Sequence, residues 1–178
     1  MTQTDRENHY EPAFEGFLRK HKICYVSVNQ AKRSFWEEDN EPVKSLDYVV
    51  HAHSEVRLLI DVKGRKFPSG ANNNPRQIWQ TWCLQEDVHG LQLWEQQFGT
   101  GYRSLLLFMF YLLPGFDVPL GTPDLWIWSG RRYLLRAVAI ADYSRWMRPR
   151  SPGWKTVDLP IAAFRETARP FSCFLTPP

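Results

Sequence analysis

The apolar positions along the chain change period several times, and each change marks an element. Phe14, Phe17, Leu18 and His21 fall at three- and four-residue spacings, which predicts a helix over about 9–21. Asn8 with Glu11 three residues later is spaced like a capping box, and Pro12 falls in the first turn, where its missing N–H is tolerated. Ile23 to Val28 is β-rich and reads as a strand. Lys32 to Pro42 is charged and aperiodic, so it reads as a loop. Two strands, about 46–52 and 56–63, are predicted to form a hairpin through a polar turn near His53-Ser54-Glu55. Phe67 to Pro75, with Pro68, Gly70 and three consecutive Asn, is a loop.

A second helix is predicted from about Gln85 to Phe98. Val88, Leu91, Trp94 and Phe98 hold its period, Glu86 and Asp87 suit its first turn, and Gly99 suits its C-terminal cap. Leu105 to Leu113 is apolar throughout and ends at Pro114. It is far short of the roughly 20 residues a membrane-spanning helix needs, so it reads as a buried strand. Because a helix precedes it, it should run parallel to the 56–63 strand if the two share a sheet. Trp126-Ile127-Trp128, Ser129-Gly130 and Tyr133 to Ala141 read as a second hairpin, followed by a basic loop from Arg145 to Lys155 and a short helix near Ile161 to Arg165.

Within this pattern the stretch Leu58-Leu59-Ile60-Asp61-Val62-Lys63-Gly64-Arg65-Lys66 stands out. Alternation along a strand places Asp61 and Lys63 on one face with Leu59, and Leu58, Ile60 and Val62 on the other. Both faces begin apolar, as in a strand covered on both sides. Charged groups there must be paired, hold a metal or open to solvent. Asp47 lies fourteen residues upstream of Asp61 and opens another apolar run, Leu46-Asp47-Tyr48-Val49-Val50, so two acids and a lysine are expected to converge.

The 178 residues suit a single domain, here 9–178 with a core over 9–113 and an extension over 114–178, after a flexible stretch at 1–8. Apolar residues at 43% and eight Trp exclude a disordered chain. A net charge of +3 does not by itself declare a nucleic-acid binder, so clustering decides. Arg145, Arg148, Arg150 and Lys155 do cluster, interleaved with Trp146 and Trp154, a mixture suited to phosphate contact with base stacking. Cys24, Cys83 and Cys173 are widely spaced and contain no CxxC pair, which argues against a disulfide framework or a zinc site and favours a cytoplasmic protein. The polar start, Met1 to His9, lacks the apolar stretch of a secretory signal.

The order helix, strand, strand with Asp47, strand with Asp61-Val62-Lys63, helix, strand resembles the PD-(D/E)xK, or restriction-endonuclease-like, nuclease superfamily. Tyr10-Glu11 leading into Phe14 and Leu18, together with Leu46 to Val50, Asp61 to Lys66 and the helix ending Phe98-Gly99, is most similar to archaeal Holliday-junction resolvases. The resemblance covers about residues 9–112, and residues 114–178 lack a recognisable counterpart. His9-Tyr10-Glu11, Arg150-Ser151, Trp154, Thr156 and Val157 also resemble an uncharacterised bacterial family that implies no function.

The superfamily resemblance implies an α/β fold with a mixed sheet, and Mg²⁺-dependent endonucleolytic hydrolysis of DNA, Mn²⁺ being an alternative ion. Branched, nicked or mismatched duplexes are candidate substrates, and a homodimer is plausible for such an enzyme. It implies Asp47, Asp61, the Val62 backbone carbonyl and Glu11 around the metal, and Lys63 orienting water and stabilising developing charge. Arg65 and Lys66 would hold neighbouring phosphates, joined by the 145–155 cluster.

Each candidate also has an ordinary structural explanation. Asp61 and Lys63 suit a strand-face ion pair, Asp47 a strand start, and Glu11 a capping box, with Glu15 one turn later able to replace it at a metal. His51 and His53 suit solvent-exposed turn positions, and Asp142 a strand end. Arg–Trp stacking alone accounts for a basic surface loop, and Trp79, Trp82, Trp94, Trp126 and Trp128 are expected in the core. The competing functional readings are a nuclease-fold protein that binds nucleic acid without cutting it, and an interaction protein whose acids and lysine are structural.

Overall fold

A computed structural model describes residues 9–28, 43–52, 55–69 and 76–176. The expected flexible stretch at 1–8, the Asn8 cap, the 32–42 loop, His53 and most of the 67–75 loop lie outside the described residues. The first helix, α1 (Tyr10–Lys20), is followed by three strands, β1 (Cys24–Ser27), β2 (Tyr48–His51) and β3 (Arg57–Phe67). They pair antiparallel in sequence, β1 with β2 and β2 with β3, a meander that contains the expected hairpin. After the two-residue β4 (Cys83–Leu84) comes α2 (Gln85–Phe98), within the bounds its apolar period predicts. The chain then enters β5 (Tyr102–Leu112), parallel to β3 along its whole length.

The hairpin β6 (Leu125–Trp128) and β7 (Arg131–Ala139) joins the sheet through β7, antiparallel to β5, so the sheet is mixed as expected. The main sheet runs β1-β2-β3-β5-β7-β10, with β6 beside β7 and β10 spanning Arg169–Pro170. Beyond β7 the basic segment is more ordered than a loop. It comprises the end of α3 (Ile140–Trp146), β8 (Arg148–Ser151) and the turn into β9 (Thr156–Asp158). β4, β9 and β8 form a small second sheet, and α4 (Ile161–Thr167) and a short 3₁₀ turn at Phe171–Phe174 complete the chain. The sequence hid this because Pro149, Pro152 and Gly153 break up any alternation.

Two apolar layers cover the sheet. On one side Ala13, Phe14, Phe17 and Leu18 of α1 meet Leu58 and Ile60 of β3 and Leu105 and Leu107 of β5. On the other, Val88 and Leu91 of α2, Tyr143 of α3 and Phe164 of α4 meet Leu59 of β3 and Leu106, Phe108 and Phe110 of β5. Every side chain from Ser104 to Phe110 is buried, because helices cover both faces of β5. The tryptophans sit nearer the rim than expected: Trp79, Trp82, Trp94, Trp126 and Trp128 are half-buried. The three cysteines are free thiols, with Cys83 buried and the other two exposed. Among the described residues no helix is long and apolar enough to cross a membrane.

Candidate active site

The pleat of β3 puts Leu59, Asp61, Lys63, Arg65 and Phe67 on the α2 side and Leu58, Ile60, Val62 and Gly64 on the α1 side. Asp47 reaches the α2 side from the neighbouring strand. Tyr48 pairs with Ile60, so the next position back sets Asp47 opposite Asp61, on the face shared by Val49 and Leu59. The β2–β3 ladder ends there. Asp47 N donates to Ile60 O at 2.8 Å, and its carboxylate takes over the next rung, Oδ2 accepting from Val62 N at 2.7 Å. The Val62 carbonyl projects from the same strand edge as its N–H, toward the side where β2 departs.

Lys63 lies between two acids. Its Nζ is 2.5 Å from Asp61 Oδ2 and 2.9 Å from Asp87 Oδ2. Asp87 belongs to the first turn of α2, where Oδ2 also accepts from Leu84 N at 2.8 Å and so helps start the helix. Lys44 closes the other side, with Nζ 2.6 Å from Asp87 Oδ1 and 3.0 Å from Glu86 Oε1. Asp61 and Asp87 are only 5% and 4% exposed, so these charges interact through a medium that screens them far less than water.

The two buried acids respond in opposite directions. Burial pushes the Asp61 carboxyl up to about 7, with the negative charges of Asp47 and Asp87 adding to the rise and Lys63 opposing it. Burial also works against ionised Asp87, but Lys63 and Lys44 outweigh it and hold that carboxyl below its usual range. For Lys63, burial disfavours the ammonium, and Asp61 and Asp87 more than compensate, so it stays charged.

A hard divalent cation fits the Asp47–Asp61 edge. The donors there are carboxylate oxygens and a backbone carbonyl, the set Mg²⁺ and Mn²⁺ prefer. Asp61 Oδ2 is buried and, the Lys63 contact apart, has no hydrogen-bond partner among the described residues. Among the described residues no three His, Cys, Asp or Glu side chains are grouped to hold a metal, so a cation here would rest on two aspartates, a carbonyl and water.

The remaining expected residues lie on other elements or turn to other partners. Glu11 and Glu15 sit on α1, which packs on the opposite face of the sheet. Glu15 accepts from the Tyr48 hydroxyl at 3.3 Å and the Tyr25 hydroxyl at 3.1 Å, and meets Arg19 at 3.4 Å. Glu11 raises the pKa of Tyr48 by its charge, after the larger effect of burial. Helix α1 starts at Tyr10 with His9 at its cap and no side-chain capping bond, which makes Glu11 its second residue.

Arg65 turns to the protein. It donates to Gly64 O at 2.8 Å and to Trp82 O, and its guanidinium lies 4.1 Å from the Trp82 ring centre. Lys66 is exposed and alternates to the face opposite Lys63. Arg145, Arg148, Arg150 and Lys155 are exposed; Arg145 lies over Trp146, and Arg148 Nε is 3.0 Å from Asp158 Oδ1. His51 is exposed at the end of β2, and Asp142 lies in the first turn of α3.

Sequence reasoning missed Asp87 as a partner of Lys63 and Lys44 as a partner of Asp87. A signal for Asp87 was present: Asp87, Leu91 and Trp94 stand at i, i+4 and i+7, which puts an acid in the apolar stripe of α2. Lys44 carried none, since a lone lysine before a strand is ordinary.

No family model matches the chain, and no curated protein matches it. Among solved structures it is similar to Hjc of Archaeoglobus fulgidus, a Holliday junction resolvase from an archaeal hyperthermophile. The two match with a TM-score of 0.54 at 12% identity, over 94% of this chain and 98% of that one. At that identity the likeness is one of fold, and the chain has a resolvase-like nuclease fold. The covered share exceeds what residues 9–113 make up, so the likeness continues into 114–178, where the sequence showed no counterpart.

Proposed function

We propose that the protein is a divalent-metal-dependent endonuclease that hydrolyses phosphodiester bonds in DNA, with Mg²⁺ as its ion and Mn²⁺ as a substitute. The observation that carries the reading is the edge where the β2–β3 ladder ends: Asp47, Asp61 and Lys63 on one face of the sheet, in a resolvase-like fold. Asp47 and Asp61 would hold the cation with the Val62 carbonyl. A bound cation supplies charge neutralisation at the phosphate and a more acidic attacking water. Lys63 keeps its ammonium charged and fixed beside Asp61, where it can orient water and offset negative charge developing on the phosphate. Asp87 holds that ammonium from the α2 side and acts as a positioning residue.

Incubating the protein with labelled junction, flap, nicked and single-stranded DNA in Mg²⁺ or Mn²⁺ tests the proposal. Cleavage that disappears in Asp61→Asn and Lys63→Ala supports it. A second reading, a nuclease-fold protein that binds DNA without cutting, has its own observation: Lys63 engages Asp61 and Asp87 at once and Asp61 is 5% exposed, so the cluster is closed without a cation. Binding of those DNAs with no cleavage in either metal would favour it.

A further inference from the structure

A groove of about 570 Å³ lies beside the charge cluster, and Arg65 connects the two. Arg65 follows Lys63 by two residues on the same face of β3, and its guanidinium packs on Trp82, which lines the groove. Arg150 approaches the same indole, its guanidinium carbon 5.3 Å from the ring centre. Arg76 and Arg148 complete a basic rim. Among the described lining residues Asp158 is the single acid, and it is paired with Arg148.

The floor is apolar, with Ile78 and Ile161 each 43% exposed beside the half-buried Trp79. The walls are held in place. Trp79 stacks on Phe67 at 3.8 Å between ring centres and meets Phe110 edge-on at 4.7 Å. Thr81 exchanges hydrogen bonds with Leu159 at 3.1 and 3.2 Å, and its carbonyl accepts from the Tyr143 hydroxyl at 2.7 Å. Arg76 is pinned to Ser69 by two backbone bonds of 2.8 and 2.6 Å. A wall fixed before binding spares the ordering cost that a mobile one would add.

We propose that this groove takes an unpaired nucleotide of the DNA strand, its phosphates on Arg76 and Arg150 and its base against the Ile78–Trp79–Ile161 floor. A duplex presents phosphates and sugars outward and keeps the faces of its bases stacked, so it would use the arginines and leave the apolar floor idle. An unpaired base offers a flat apolar face, and pairing that face with indole and aliphatic surface next to a charged rim is the general chemistry of single-strand binding. The groove volume lies in the range of sites that enclose a small organic ligand.

The inference rests on the reading that DNA is the substrate, and it separates from that reading by being tested in EDTA, where nothing is cut. The probes are a fluorescent gapped duplex and the same duplex without the gap, with melting temperatures confirming that each variant is folded. The wild type is expected to prefer the gapped probe by about tenfold, and Ile78→Asp to remove that preference. Arg76→Ala/Arg150→Ala should weaken gapped-probe binding about tenfold and flatten its salt dependence by about two phosphate contacts. Tyr48→Phe, on the opposite face of the sheet, should bind as the wild type does.

No preference in the wild type, or a preference unchanged in Ile78→Asp and in the double arginine variant, overturns the proposal. Preference without cleavage in any metal leaves the groove standing and removes the endonuclease reading.

Discussion

The two faces of β3 carry residues of one strand into different environments. Toward α1, Leu58 and Ile60 pack against Phe14 and Leu18, and Glu15 on that helix is satisfied by two tyrosine hydroxyls and an arginine. Toward α2, Leu59 gives way after one position to Asp61, Lys63 and Arg65, and their partners are ions or backbone carbonyls inside the protein. Burying ions costs several kcal/mol each before their attraction is counted, so a cluster of this kind is poor value for stability alone. Both faces carry an apolar layer that holds the fold together, and the α2 face also keeps charge at a strand edge.

Removing Lys63 should break the contrast most visibly. Lys63→Ala leaves two buried aspartates without their shared cation, and a loss of about 3–5 kcal/mol in unfolding free energy is expected by chemical denaturation. Cleavage should fall by about 10²–10³ or more under conditions where the variant is folded. A variant as stable and as active as the wild type would erase the difference between the faces.

The pH dependence of stability is the next largest effect. Asp61 has its pKa raised in the folded state, to about 7, so its contribution is fully present below the unfolded value of about 3.9 and is lost as pH rises through 7. The loss between pH 4 and 7 is on the order of a few kcal/mol. Asp87, lowered by its lysines, acts the other way: its contribution is present above the unfolded value and is lost as pH falls below about 4. Denaturation across pH 4–8 should therefore show the Asp61→Asn variant gaining on the wild type as pH rises.

On the α1 face the effects are steric and smaller. A Cβ at Gly64 would lie 2.2 Å from Tyr10 Cδ2, so Gly64→Ala must shift α1 or the ring, at a cost of about 1–3 kcal/mol. Smaller still, Tyr48→Phe removes one hydroxyl contact to Glu15 and should cost about 0.5–1.5 kcal/mol, with cleavage unchanged. A large loss of activity in Tyr48→Phe would move the chemistry to the wrong face.

The elements that define this contrast were legible before any coordinates. Alternation assigned Asp61 and Lys63 to one face, the 3.6-residue period bounded α2, and the nine apolar residues ending at Leu113 marked the buried parallel strand. What was hidden depends on tertiary register. Local spacing does not show which face α1 covers, and the pairing of Asp87 with Lys63 needs α2 docked on the sheet. The groove was illegible for the same reason: it joins residues 76–82 to β8, β9 and α4, so Arg148 and Arg150 were legible as a phosphate-binding cluster while Arg76 and the apolar floor were not.

The most direct test is a titration with Mn²⁺ followed by electron paramagnetic resonance on the wild type, Asp47→Asn, Asp61→Asn and Glu11→Gln. One ion per chain should bind the wild type and Glu11→Gln, and binding should be lost in both aspartate variants. No bound ion in the wild type, or equal binding in Asp61→Asn, would contradict a metal site at the edge of β3.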